Sequence, residues 1–156
     1  MTAFWHGLWD GINGNLSALE AAALLALAAF AYTVRKRLPA LPVAYSVFLA
    51  VYITLLRRAP GYDEAIRWHL AVWLGAGLWA GNLLNFALFL PLGWTAASLT
   101  RRTLRGALLV ILCGCALSVC CETTQYLLGR GQADINDILF NTLGTAAGMG
   151  LHRKTR

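Results

Sequence analysis

Glu122, Gln125, Arg130, Asp134, Asp137 and Asn141 are the residues of this chain whose types and spacing suit chemistry. Three of the seven acidic residues fall in this one stretch, ETTQYLLGRGQADINDILFNTLGTAAG (122–148). Paired carboxylates can act as acid and base or hold a cation between them, and an arginine can orient either. In an apolar chain such groups are costly unless they face a protein interior or a water-filled cavity. At 100° per residue, Asp134, Asp137, Asn141, Gly144 and Gly148 fall within an arc of about 80° on one helix. Glu122 and Gln125 share a face of the preceding helix. The turn Gly129-Arg130-Gly131 makes the two helices antiparallel neighbours, and Arg130 is close enough in sequence to reach a carboxylate.

A plainer account competes for the same residues. Asp134 has the position of an N-cap with Asp137 at N3, and both favour the positive end of a helix dipole. Arg130 would then neutralise one of them, and Asn141 would join helices through a hydrogen bond. Capping explains Asp134 well. It explains polar residues on two facing helices less well.

The run E-x2-Q-x4-R-x3-D-x2-D-x3-N-T-x-G-x3-G resembles the C-terminal block of the VanZ-like family of small bacterial membrane proteins. The stretch NLLNFALFLPLGW (82–94) is similar to that family's second block, an Asn before an apolar-Pro-apolar-Gly turn. It contributes Asn82, Asn85, Pro91 and Gly93 as supporting residues, alongside Gly144 and Gly148. The resemblance covers the second half of the chain. It implies a membrane location, a cell-envelope context and a link to glycopeptide (teicoplanin) resistance.

The elements that must position these residues are apolar helices. Hydrophobic residues make up 58% of the 156 and charged residues 13%, with a mean hydropathy of +0.59. So much apolar surface needs a solvent other than water. The sequence predicts an all-α, polytopic membrane helical bundle in a single domain: about five transmembrane helices plus interfacial helical segments. The spans are 17–34, 41–56, 82–99, 106–128 and 134–151. Ser17 and Glu20 have capping-box spacing at the start of the first. Pro91 frees a backbone carbonyl inside the third, where Asn82 and Asn85 can face inward together, and Gly93 admits a neighbouring chain. Gly144 and Gly148 permit close helix contact. Residues 1–16 read as an interfacial amphipathic segment with its Trp residues at headgroup level, and 59–81 as an interfacial or re-entrant helix, with a full crossing as the alternative. Cys113, Cys115, Cys120 and Cys121 lie in one apolar run without a CxxC pair and read as small buried hydrophobes.

Net charge is +6 with a pI near 9.6, but the basic residues cluster between apolar runs, which reads as topology and not as a nucleic-acid patch. Nine Lys/Arg fall on one side of a five-span chain (35–37, 101, 102, 105, 153, 154, 156) and four on the other (57, 58, 67, 130). The expected topology is a multi-pass plasma (inner) membrane protein with its N-terminus outside and its C-terminus cytoplasmic. Arg57-Arg58 is the exception to the bias.

Three carboxylates against Arg130 alone leave a formal charge of −2, which repels a bare phosphate. The chain has no nucleophile motif, P-loop or HExxH, and His69 and His152 are isolated, so no cofactor or metal site is expected. A divalent cation bridging the carboxylates remains open. Three functions follow. The first is an outward-facing acidic pocket binding a lipid-linked cell-wall precursor, a glycopeptide or a partner protein. The second is an integral-membrane enzyme using paired carboxylates on a lipid-linked substrate. The third is a structural membrane subunit.

Overall fold

The computed structural model of the chain describes residues 17–58, 66–68, 70 and 76–155. The described residues include five α-helices: α1 (Ala18–Thr33), α2 (Leu41–Val51), α3 (Ala76–Ala97), α4 (Leu104–Leu127) and α5 (Ile135–Lys154). The all-α class is as the sequence predicts. α2 runs on into a π-helical turn, Tyr52–Leu56. Two two-residue strands, β1 (Ile66–Arg67) and β2 (Ala133–Asp134), pair in parallel with Ile66 opposite Ala133 and Arg67 opposite Asp134.

Local sequence sets most helix starts. Ser17 and Glu20 close a reciprocal capping box at α1, with Oγ accepting the Glu20 N–H at 3.2 Å and Glu20 Oε2 accepting the Ser17 N–H at 2.9 Å. Pro42 lies in the first turn of α2, where its missing N–H costs nothing. Thr103 caps α4 and Asp134 caps α5. After α4, Gly129 takes φ 57°, a left-handed conformation that ends the helix and turns the chain toward β2.

The helices alternate in direction. α3 and α5 lie parallel and very close, because a Cβ at Gly144 would overlap the Phe86 carbonyl and one at Gly148 the Leu90 carbonyl. In return, a Cβ at Gly93 would overlap the Thr145 carbonyl. The small residues therefore join the last helix to α3 as backbone against backbone. α4 lies antiparallel to α5, held by Asn141 Nδ2 donating to Ser118 Oγ at 2.9 Å. α2 packs on α3 through Ala50, Phe89 and Leu92. α3 continues unbroken through Pro91.

The interior is unusually polar for a soluble protein: Ser46, Thr54, Ser118, Glu122, Gln125, Asn141 and Thr145 are buried, whereas Leu25, Phe30, Leu104, Leu112 and Leu127 lie on the outside. This distribution fits an apolar solvent. α4 is long and apolar enough to cross a membrane, while Ala18–Thr33 and Leu41–Leu56 are apolar but shorter.

Three sequence expectations change. The third helix begins at Ala76, not at Asn82, because the apolar residues 76–81 continue the same helix. Residues 59–81 are not one interfacial helix, since Ile66–Arg67 is an extended segment paired with β2. Of the cysteines, Cys121 alone is buried, with Cys113 and Cys120 exposed and Cys115 half-buried on a helix that turns much of its apolar surface outward. The expected interfacial segment 1–16 lies outside the described residues.

Candidate functional site

The polar residues gather where α4 ends, α5 begins and the π-helical turn after α2 meets them. Glu122 sits one turn from the end of α4 and is only 3% exposed. Its Oε2 accepts the Asp134 backbone N–H at 3.0 Å, tying the end of α4 to the start of α5. One turn on, Gln125 is fully buried and donates through Nε2 to the Thr54 carbonyl at 2.6 Å. Its Oε1 accepts from Arg58 Nη1 at 3.3 Å. A π-helical turn presents that carbonyl, and such turns recur at functional sites.

On α5, Asp134 behaves as the local pattern indicates. Its Oδ1 accepts the Asn136 N–H at 2.8 Å and the Asn136 side-chain amide at 2.7 Å, so it is an N-cap. Asp137, one turn in, lies near Asn85 on α3 and in the field of Asp134, Arg58 and Arg67. Glu122 and Asp137 interact as like charges, with Arg58 as their shared countercharge. Among the described residues neither carboxylate makes an ion pair; the one such pair joins Glu20 to Arg57 at 3.3 Å, where Glu20 also accepts from Tyr52 at 2.7 Å.

Asn141 lies deeper, between α4 and α5. Its amide nitrogen bonds Ser118, while its Oδ1 is buried without a partner among the described residues. Asn82 is buried and Asn85 half-buried on the face of α3 toward the bundle, in keeping with their three-residue spacing.

Arg130 reaches no carboxylate among the described residues. The left-handed Gly129 turns it toward α2, where Nη1 reaches the Leu55 and Leu56 carbonyls at 3.4 Å, the unsatisfied end of the π-helical turn. Arg58 and Arg67 stand in its place. The sequence reading missed both as site residues. Their one visible signal was that Arg57-Arg58 broke the bias of basic residues toward the other end of the helices. With Arg58 and Arg67 beside Glu122, Asp134 and Asp137, the formal surplus among the described residues is −1 and not −2.

A cleft of about 380 Å³ opens beside this cluster. Glu122, Arg67 and Asp134 supply its charged wall, and Trp68, Val119 and Tyr126 part of its apolar wall. It can therefore take a ligand with an apolar body and a hydrogen-bonding group. Among the described residues no three His, Cys, Asp or Glu side chains gather as a metal cluster.

A family model described as VanZ/LLP1 matches residues 15–155, nearly the whole chain. No curated protein and no solved structure matches it.

Proposed function

Because the chain belongs to the VanZ-like family, we propose that it is a five-span envelope membrane protein whose acid-and-arginine pocket binds a lipid-linked cell-wall precursor. The five helices cross in alternation, with Leu25, Phe30, Leu108, Leu112 and Val119 exposed along their sides. α1 and Leu41–Leu56 have 16 residues each, about 24 Å at 1.5 Å per residue, so the bilayer thins around them. The nine-to-four distribution of Lys/Arg supports a cytoplasmic position for the ends bearing Arg35–Arg37, Arg101–Arg105 and Arg153–Lys154. Glu122, Gln125 and Asp137 then lie toward the outer leaflet.

The observation that carries the binding reading is Glu122. It is buried, makes no ion pair among the described residues, and still forms part of the cleft wall. A carboxylate held in that state costs stability that a purely structural role does not repay. Its free lone pairs suit a hydroxyl or an amine, as found on sugars and peptide stems. The apolar side of the cleft, from Val119 to Ile138, suits the lipid that carries them. A glycopeptide offers similar donors without the chain.

The interaction between Glu122 and Asp137 also favours an enzymatic reading, in which one carboxylate serves as acid and the other as base on the same lipid-linked substrate. The test for binding is purification with native lipids followed by mass spectrometry of wild type, Glu122→Gln and Asp137→Asn. We expect an envelope lipid that accompanies the wild type and is lost from both variants at equal protein yield. Unchanged lipid with falling yield would sink the binding reading and favour the structural one. Chemical conversion of the bound lipid by wild type alone would raise the enzyme reading above it.

A further inference from the structure

The other end of the bundle holds a second cavity, of about 580 Å³, between the ends of α1, α3 and α5 and the turn into α2. Its wall includes Arg35, Lys36, Tyr32, Trp94, Ser98 and Thr155. The acidic residues among those described, Glu20, Glu122, Asp134 and Asp137, are all at the opposite end of their helices, so no described acidic side chain on this end neutralises the bases. The basic residues here divide by what they do. Arg153 donates to the Thr103 carbonyl at 2.9 Å, and Arg102 to the Arg153 carbonyl at 3.2 Å, so both brace the end of α5 against the α3–α4 turn. Arg35 is different. Its Nη1 bonds the Tyr32 carbonyl at 2.6 Å and its guanidinium lies 3.5 Å from the centre of the Tyr32 ring. That contact fixes the group at the cavity wall and leaves most of its five N–H donors for another acceptor. Lys36, next in sequence, adds a mobile point charge. Trp94 is held edge-on to His152 at 5.3 Å and supplies a flat apolar side.

A planar fork of donors, an ammonium and two aromatic rings around one cavity, with no acid among the described residues opposing them, suit a phosphate on an amphiphilic carrier. The volume is within the range of small-molecule sites. Basic pockets between helix ends on the cytoplasmic side take anionic headgroups for the same reason. We infer that this cavity binds a phosphate group, presented by an anionic lipid headgroup of the leaflet that surrounds these helix ends. The site is separate from the acidic cluster and does not depend on what that cluster binds.

The experiment measures thermal unfolding of the detergent-purified full chain while adding short-chain phosphatidylglycerol, short-chain phosphatidylcholine or inorganic phosphate. For wild type, phosphatidylglycerol should raise the midpoint saturably and phosphatidylcholine should not. In the double variant Arg35→Gln/Lys36→Gln the apparent affinity should fall about thirtyfold, from two basic contacts removed. Arg105→Gln, a base outside this cavity, should respond as wild type, and Lys36→Arg should retain the shift. Midpoints without additive report whether each variant is folded. A shift by inorganic phosphate at similar concentration, lost in the same double variant, supports the phosphate site and makes soluble phosphate its source. An undiminished lipid shift in the double variant, or equal loss in Arg105→Gln, overturns the inference in favour of diffuse attraction.

Discussion

Arg58→Ala removes the donor to Gln125 Oε1 and the countercharge shared by Glu122 and Asp137. Gln125 is fully buried, so its oxygen finds no replacement water easily, and a bond from a charged donor is worth about 1.5–3 kcal/mol. At roughly 2–4 °C per kcal/mol for a chain of this size, the midpoint should fall by about 3–12 °C. Arg130→Ala loses only two long contacts to carbonyls, about 1 kcal/mol or roughly 2–4 °C. The decisive quantity is coupling. With Arg58 gone, only Arg67 among the described residues offsets the repulsion between Glu122 and Asp137, so adding Glu122→Gln should recover at least about 1 kcal/mol relative to the sum of the single effects. Arg130→Ala should add to Glu122→Gln without coupling. The assay is thermal unfolding of the four proteins of each cycle, followed by tryptophan fluorescence in one detergent. Additivity at Arg58 together with coupling at Arg130 would refute the assignment of Arg58 as the countercharge.

Gly148→Ala should destabilise by about 1–3 kcal/mol, because its methyl would meet the Leu90 carbonyl, whereas Gly150→Ala meets nothing within 4 Å and should be neutral or stabilising by about 0.4–1 kcal/mol. Comparing the two melting midpoints checks this, and equal effects would contradict the α3–α5 contact. Asp134→Ser keeps a cap and should preserve ligand retention, while Glu122→Gln and Asp137→Asn abolish it at normal membrane abundance. Loss of retention in Asp134→Ser at normal abundance would make Asp134 a ligand group and not only a cap. In a background without the native cysteines, Leu128→Cys should react with an impermeant thiol reagent in intact cells and Lys154→Cys should not; the reverse pattern would invert the topology. Leu128 is chosen because a Cβ at the nearby Gly131 would come within 2.8 Å of the Arg58 guanidinium.

Sequence alone determined the features that depend on neighbours a few residues apart. The Ser17/Glu20 capping box, the Asp134 cap, the shared face of Glu122 with Gln125, and the small-residue stripe at Gly144 and Gly148 all follow from helical periodicity. So did the apolar all-α class, since little charge remains to face water. Tertiary structure decided which partner each local feature meets. Gly144 and Gly148 invite a close neighbour, but only the bundle arrangement makes that neighbour α3 and not α4. Arg130 is near the carboxylates along the chain, yet the left-handed turn at Gly129 sends it to the π-helical end of α2. Arg58 is 67 residues from Gln125, and it meets the site because α2 packs beside α4. Arg67 comes alongside Asp134 through a parallel pairing of two residues with two. No period of 3.6 or 2 encodes contacts at such separations. They are fixed by the packing of whole helices, so a local reading placed Arg130 near the acids, where the bundle puts Arg58 and Arg67 instead.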